Sequence, residues 1–262
     1  MDLNLSGKNT LVCGSTQGIG KASATELAFL GANVTLLARN EEALKAVVNE
    51  LPNNGSQKHN CIVADFATPD YLKVIINHFM ESNPPFHILV NNTGGPKGGE
   101  IIKADTSEFL AAFSNHLICN HILVQALVEG MKSEGYGRII NIISTSVKQP
   151  LNNLGVSNTI RGAVANWAKT LANELGRFGI TVNNVLPGAT ATGRLSTIIE
   201  NKSKASGKSI EEVEEEMKSE IPARRFAKPE EIANAVAFLA SPAAGYINGI
   251  NVPIDGGRTG NL

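Results

Sequence analysis

The chain has 262 residues, 42% of them hydrophobic and 18% charged, with a formal net charge of −1. That length is enough for one large core. The charge excludes the basic footprint of a nucleic-acid binder, and no run approaches the roughly 18 apolar residues of a membrane helix. "MDLNLSGKNT" lacks the basic-then-apolar layout of a secretory signal. Cys13, Cys61 and Cys119 are odd in number and scattered. They have neither metal-ligand spacing nor the look of a disulfide framework. The expectation is a cytoplasmic protein with no metal, no membrane and no nucleic-acid partner.

In chain order, "NTLVC" is a short apolar run ending in "GSTQGIG", and "KASATELAFLG" has helical spacing that stops at Gly31. "NVTLLA" is strand-like. "NEEALKAVVNEL" follows as a helix capped by Asn40, with Pro52 beyond its end. "CIVA" is a strand, then a helix enters at Pro69 and Asp70. "HILVNN" is the next strand, residues 106–133 a helix, and "GRIINIIS" a strand again. A helix follows Ser157 and leads to the strand "ITVNNVLP". Continuous apolar strands that alternate with helices indicate a parallel sheet covered on both faces. The expected architecture is a single α/β domain over 1–262, a Rossmann-like doubly wound sheet of about seven strands.

Residues 190–225 break this rhythm with "SKASGKS" and "IEEVEEEMKSE". Ser209 and Glu212 have capping-box spacing, so a second short helix starts there. This polar stretch reads either as a solvated acidic helix or as a flap over a pocket, and its place after a strand's carboxyl end favours the flap. Pro229 then opens the helix "PEEIANAVAFLA", and "INGINVPIDGG" is a last strand, with Pro253 near its end or at an edge.

The turn after the first strand carries the strongest chemical signal. Gly14, Gly18 and Gly20 allow a tight turn, close approach to a pyrophosphate, and packing of the helix on the sheet. With Ser15, Thr16 and Ile19 they form a candidate dinucleotide cradle at a helix N-terminus. The second strand ends in Ala38 and Arg39. An acidic residue there would hold a ribose 2′-hydroxyl, whereas a cation suits a 2′-phosphate. NADP(H) is therefore expected over NAD(H).

These residues carry a resemblance. "GSTQGIG", "VADF", "NNTGG", "GRIINIIS", "NNVLPGATAT", "RFAKPEEIANAVAFLAS" and "INGINVPIDGG" make the chain similar, along nearly its whole length, to the short-chain dehydrogenases/reductases. It looks closest to their β-ketoacyl-carrier-protein-reductase-like branch. The resemblance implies that Asp65 and Phe66 border the adenine, and that Asn91, Thr93 and Gly94 support the cofactor and the central sheet. Pro187, Gly188 and Thr192 would border the nicotinamide. It also implies a homotetramer built on the helices at 113–133 and 157–176, and a small carbonyl or alcohol substrate, with a 3-oxoacyl thioester as one candidate.

The family's catalytic set is asparagine, serine, tyrosine and lysine. Here Ser144 matches the serine, but the tyrosine position falls on Ser157 and the lysine position on Arg161. The asparagine position falls on His116, with Asn115 next to it. An aliphatic hydroxyl is a far weaker acid than a phenol, and arginine cannot relay a proton. Arg161 can still hold ribose hydroxyls, and His116, the nearby group with an ordinary pKa near neutrality, reads either as a working acid or as a packed or hydrogen-bonded helix histidine. The expected activity is hydride transfer with an altered proton-transfer set. The alternatives are a cofactor-binding sensor or scaffold without turnover, and a non-redox relative. Halohydrin dehalogenases carry arginine at the lysine position, but they keep the tyrosine and lack the glycine-rich turn.

Overall fold

The computed structural model describes residues 1–261. In chain order the elements are β1 (Asn9–Cys13), α1 (Gly18–Phe29), β2 (Asn33–Ala38), α2 (Glu41–Glu50), β3 (Asn60–Val63), α3 (Pro69–Glu81), β4 (Ile88–Asn91), α4 (Thr106–Phe113) and α5 (Cys119–Ser133). They continue with β5 (Gly137–Ile142), α6 (Gly155–Leu175), β6 (Ile180–Pro187), α7 (Gly193–Ser206), α8 (Ile210–Ser219), α9 (Pro229–Ala240) and β7 (Asn251–Ile254). The seven strands form one sheet in the order β3-β2-β1-β4-β5-β6-β7, and every pairing is parallel. This is the doubly wound Rossmann-like domain expected from the alternating pattern.

The strands are apolar throughout because both faces are covered. Leu11 and Val12 are neighbours in β1, and the strand's period of two sends them to opposite cores. Val12 joins Leu27 of α1, Leu44 of α2 and Val236 of α9. Leu11 joins Leu72 of α3, Leu127 of α5 and Ala172 of α6. One polar feature crosses the sheet interior. Asn91 donates to Asn141 (2.8 Å), Asn141 to Asn184 (2.9 Å) and Asn184 to Asn251 (2.8 Å). Asn141, Asn184 and Asn251 each supply the acceptor their neighbour needs, which keeps these buried polar groups inexpensive.

Two features depart from the sequence expectation. The helix expected over 106–133 is continuous, but a wide π-turn at Ser114–Ile118 interrupts its regular winding. Over Thr106–Ser133 the mean hydropathy reaches 1.2, long and apolar enough by length and composition to span a bilayer. Its apolar residues Leu123, Leu127 and Met131 lie instead in the core beside the sheet. The second departure lies in 190–225, where α7 and the second short helix expected there, α8, form a lobe. They share a small core of their own made of Leu195, Ile199, Val213 and Met217. Both ends of this lobe meet in one place, where Ala191 N–H donates to Ala227 O (2.8 Å) and Ala227 N–H to Ala189 O (2.9 Å).

The winding direction reverses between β1 and β4. In such sheets the loops at the strands' carboxyl ends part at that point and leave a crevice. A long cleft lies there.

Candidate active site

The floor of the cleft begins at the glycine turn. Gly14 has φ +57°, and a side chain on it would meet Asn92 O at 2.7 Å. A Cβ on Gly20 would lie only 2.1 Å from Gly14 O, so helix and turn pack backbone against backbone. Asn92 Nδ2 holds the turn by donating to the carbonyls of Cys13 and Gly14, both at 3.2 Å. Gln17 caps α1 without a side-chain hydrogen bond, and the first turn contains no acidic residue. The N–H groups and partial positive charge of that helix end are therefore available to phosphate.

At the end of β2, Arg39 lies 3.9 Å from Asp65, and both side chains are largely exposed. They line one end of the cleft together with Phe66. A further stretch of wall is formed by Thr93, Gly94, Pro187, Gly188 and Thr192. A Cβ on Gly18 would come within 3.2 Å of Thr192 Cγ2, so α7 begins directly over the phosphate turn.

At the other end, Ser144 follows β5. Its Oγ accepts from Ser146 N–H (3.1 Å) and so caps the short turn Thr145–Val147. Its own hydroxyl hydrogen is thereby left to point elsewhere. Ser157 lies in the first turn of α6, and among the described residues its hydroxyl has no hydrogen-bond partner. Asn158 anchors the approach to this turn by donating to Leu151 O (2.8 Å). Arg161 lies one turn further along α6. Its Nη1 donates to Ile142 O (3.0 Å) at the end of β5. Ser144, Ser157 and Arg161 all line the cleft.

Arg161 is 7% exposed, and its Nε has no hydrogen-bond partner. Burial, and after it the nearby charge of Arg194, lower its pKa to about 10. A buried cation with an idle donor is costly in isolation, so this group is poised for a ligand.

Most of the sequence-derived site residues converge here, with four corrections. His116 is 1% exposed and does not line the cleft, whereas Asn115 does. The wide π-turn changes the phase of the helix and brings the neighbouring residue to the wall. Burial, followed by the charges of Arg161 and Arg194, holds the His116 pKa down at about 3. A neutral imidazole at pH 7 cannot act as the proton donor expected of it. Asn91 is committed to the amide ladder beneath the cleft, and the contact with the turn falls to Asn92. Ser15 is fully buried and its hydroxyl is directed at Leu37 O (3.5 Å). Gly20 is buried as well, so it serves helix packing and not the cleft surface.

Sequence reasoning passed over Asn92 and Arg194, whereas Asn115 had been named beside His116, one residue away. Asn92 was within reach, since it follows Asn91 directly in "NNTGG". Arg194 carried no signal, being one cation in a polar stretch.

The glycine turn at a switch point, the serine after β5 and the helix bearing Ser157 and Arg161 define a class of protein, a Rossmann-fold dinucleotide enzyme scaffold. A family model described as "Enoyl-(Acyl carrier protein) reductase" matches residues 14–259. The 3-oxoacyl-(acyl-carrier-protein) reductase FabG of Vibrio cholerae is 32% identical over 257 residues, covering 97% of this chain and 98% of its own. The 7alpha-hydroxysteroid dehydrogenase of Escherichia coli is 31% identical over 263 residues, covering 100% and 98%. Among solved structures, the L-sorbose reductase of Gluconobacter frateurii, complexed with NADPH and L-sorbose, superposes with a TM-score of 0.93 at 31% identity, with full coverage of both chains. The chain belongs to the short-chain dehydrogenase/reductase family, in the branch that resembles the 3-oxoacyl reductases.

Proposed function

We propose that this protein binds NADP(H) in the cleft and interconverts a small carbonyl compound and its alcohol. The observation that carries the reading is the glycine turn with its open helix N-terminus, joined at the end of β2 to Arg39 instead of an acidic residue. The residues present fit the cofactor. The turn is a backbone cradle that a Cβ would fill, and Arg39 stands where a 2′-phosphate would be met. The family relative solved with NADPH supports the same reading.

Bound NADPH would supply a hydride to the carbonyl carbon. The protein's own residues do the remaining work. Ser144 and Ser157 donate hydrogen bonds to the carbonyl oxygen and hold it as negative charge develops there. Arg161 takes the family lysine's place on the nicotinamide ribose and keeps its charge beside that oxygen. Neither Ser144 nor Ser157 replaces the missing tyrosine as an acid, and the proton that completes the alcohol comes from water. A positioned acid typically contributes 10²–10⁴-fold, and turnover is correspondingly slow. The α7–α8 lobe, tied at both ends near Ala227, forms a substrate-side flap. The assembly is a homotetramer through α4–α5 and α6, where Leu110 and Phe113 remain exposed; a monomer in light scattering at micromolar concentration would refute it.

The test is Arg39→Ala, read by NADPH and NADH fluorescence titration and by a carbonyl-substrate screen. The exchange should weaken NADPH about 10–100-fold, as expected for a charge-assisted contact, and leave NADH nearly unchanged. Equal loss for both cofactors refutes the 2′-phosphate assignment. NADPH binding without turnover of any carbonyl compound would make the protein a cofactor-binding sensor.

A further inference from the structure

The charged side chains lining the cleft are unequally matched. Its acids are Asp65 and Glu220, and its cations include Arg39, Lys97, Arg161, Arg194 and Arg258. Each acid already has a partner, Asp65 with Arg39 and Glu220 with Arg258. Among the described residues, neither Arg161 nor Arg194 has a carboxylate partner.

These two converge from different elements. Arg194 stands in the first turn of α7 and reaches across the cleft, where its Nη2 donates to Pro96 O (2.7 Å). Arg161 rises from beneath on α6. Both guanidinium ends meet at Gly95, where a Cβ would lie 3.3 Å from Arg194 Nη2 and 3.8 Å from Arg161 Nη2. The absent side chain leaves an opening flanked by two cations. Arg161 Nε and the adjacent His116 Nε2 are both buried without a hydrogen-bond partner. Two like charges held against one backbone position repel each other, and this arrangement is favourable only when an anion joins them.

We propose that the substrate carries a carboxylate, which binds at Gly95 between Arg161 and Arg194. This rests on the oxidoreductase reading and deepens it. An arginine has five donors in a planar fork. Arg161 therefore has capacity for a ribose hydroxyl and one carboxylate oxygen in addition to Ile142 O, while Arg194 takes the second oxygen. A cofactor diphosphate is the other anion that could come near. Its place is the glycine turn and the α1 N-terminus, whereas Arg161 stands one turn from Ser157, at the end where Ser144 and Ser157 present their hydroxyls. The subsite also has a chemical use. Two fixed cations beside the reacting carbonyl favour the developing oxyanion in a site that lacks the tyrosine.

The experiment uses the full chain and two pairs of probes, 2-oxobutyrate with its methyl ester and acetoacetate with its methyl ester. Binding is measured by calorimetry with and without saturating NADPH, and NADPH itself is titrated by fluorescence. At least one acid should bind about 10–100-fold more tightly than its ester, the range of a lost charge-assisted pair. Arg194→Met should abolish that preference while leaving NADPH affinity within about twofold, and Arg194→Lys should restore part of it. Arg194 is exposed on a helix surface, so both variants should fold. Equal binding of acid and ester, or no binding of either acid, overturns the proposal. So does an Arg194→Met variant that weakens NADPH and keeps the acid preference, because Arg194 would then serve the diphosphate. Failure of NADPH itself to bind overturns the cofactor reading, while the acid–ester comparison without cofactor still judges the carboxylate site.

Discussion

Replacing Arg161 with methionine separates a functional cation from a structural one. In the folded protein burial holds the Arg161 pKa down to about 10. The folded state therefore binds this proton less tightly than the unfolded chain does. Below pH 10 the charge is a cost to folding, and that cost disappears only as the pH rises through the folded and then the unfolded value. The gap corresponds to roughly 3 kcal/mol at neutral pH. Methionine removes the charge and keeps most of the apolar length. It also removes the donor to Ile142 O, and leaving that carbonyl unpaired costs about 1–3 kcal/mol. The net change is between zero and about 2 kcal/mol in favour of the variant. For a chain of this size about 1 kcal/mol moves the melting temperature by roughly 2–4 °C. Calorimetry without ligands, at one protein concentration, should thus show an unchanged midpoint or a rise of up to about 8 °C. NADPH affinity, titrated in parallel, should fall. Stability gained where binding is lost marks a residue kept for function. A fall in midpoint of more than about 4 °C would refute this, since Arg161 would then be holding the end of β5 in place.

The remaining predictions concern the proton and the altered catalytic set. Because His116 is held near 3 against an ordinary 6.5, folding stability should be fully present above pH 6.5 and decline as the pH falls toward 3, by about 1.4 kcal/mol per pH unit. His116→Asn should flatten that decline in melting curves between pH 7 and 4.5, and leave carbonyl reduction at pH 7 within about threefold; a loss of 10²-fold or more would restore His116 as an acid. The pair Ser157→Tyr with Arg161→Lys should raise carbonyl reduction and preserve NADPH binding. If the native protein already turns over a substrate quickly and the pair destroys that activity, Ser157 and Arg161 belong to a different chemistry.

Much of the fold was legible because it rests on local pattern. Continuous apolar strands such as "NTLVC" and "NVTLLA" alternate with helices closed by Gly31 or opened by Pro229, and this admits few arrangements other than a parallel sheet covered on both faces. The glycine turn was equally legible, since the backbone geometry it requires is written in residue type. The positions of Ser144, Ser157 and Arg161 followed from the family resemblance, which carries its catalytic set onto this chain residue by residue. The role of His116 did not. One π-turn in a helix exchanges the cleft-facing residue for its neighbour, and no local composition announces a change of phase. Burial then decided its charge, because desolvation and two guanidiniums from other elements lower a pKa that sequence can state only at its ordinary value. The asparagine ladder depends on strand register across four strands, and the meeting of Arg161 with Arg194 at Gly95 depends on how α6 and α7 converge on the loop after β4. Sequence by itself determined which residues lie in which elements. Only the tertiary structure decided which of them share a surface, because distance and dielectric are properties of the packed chain.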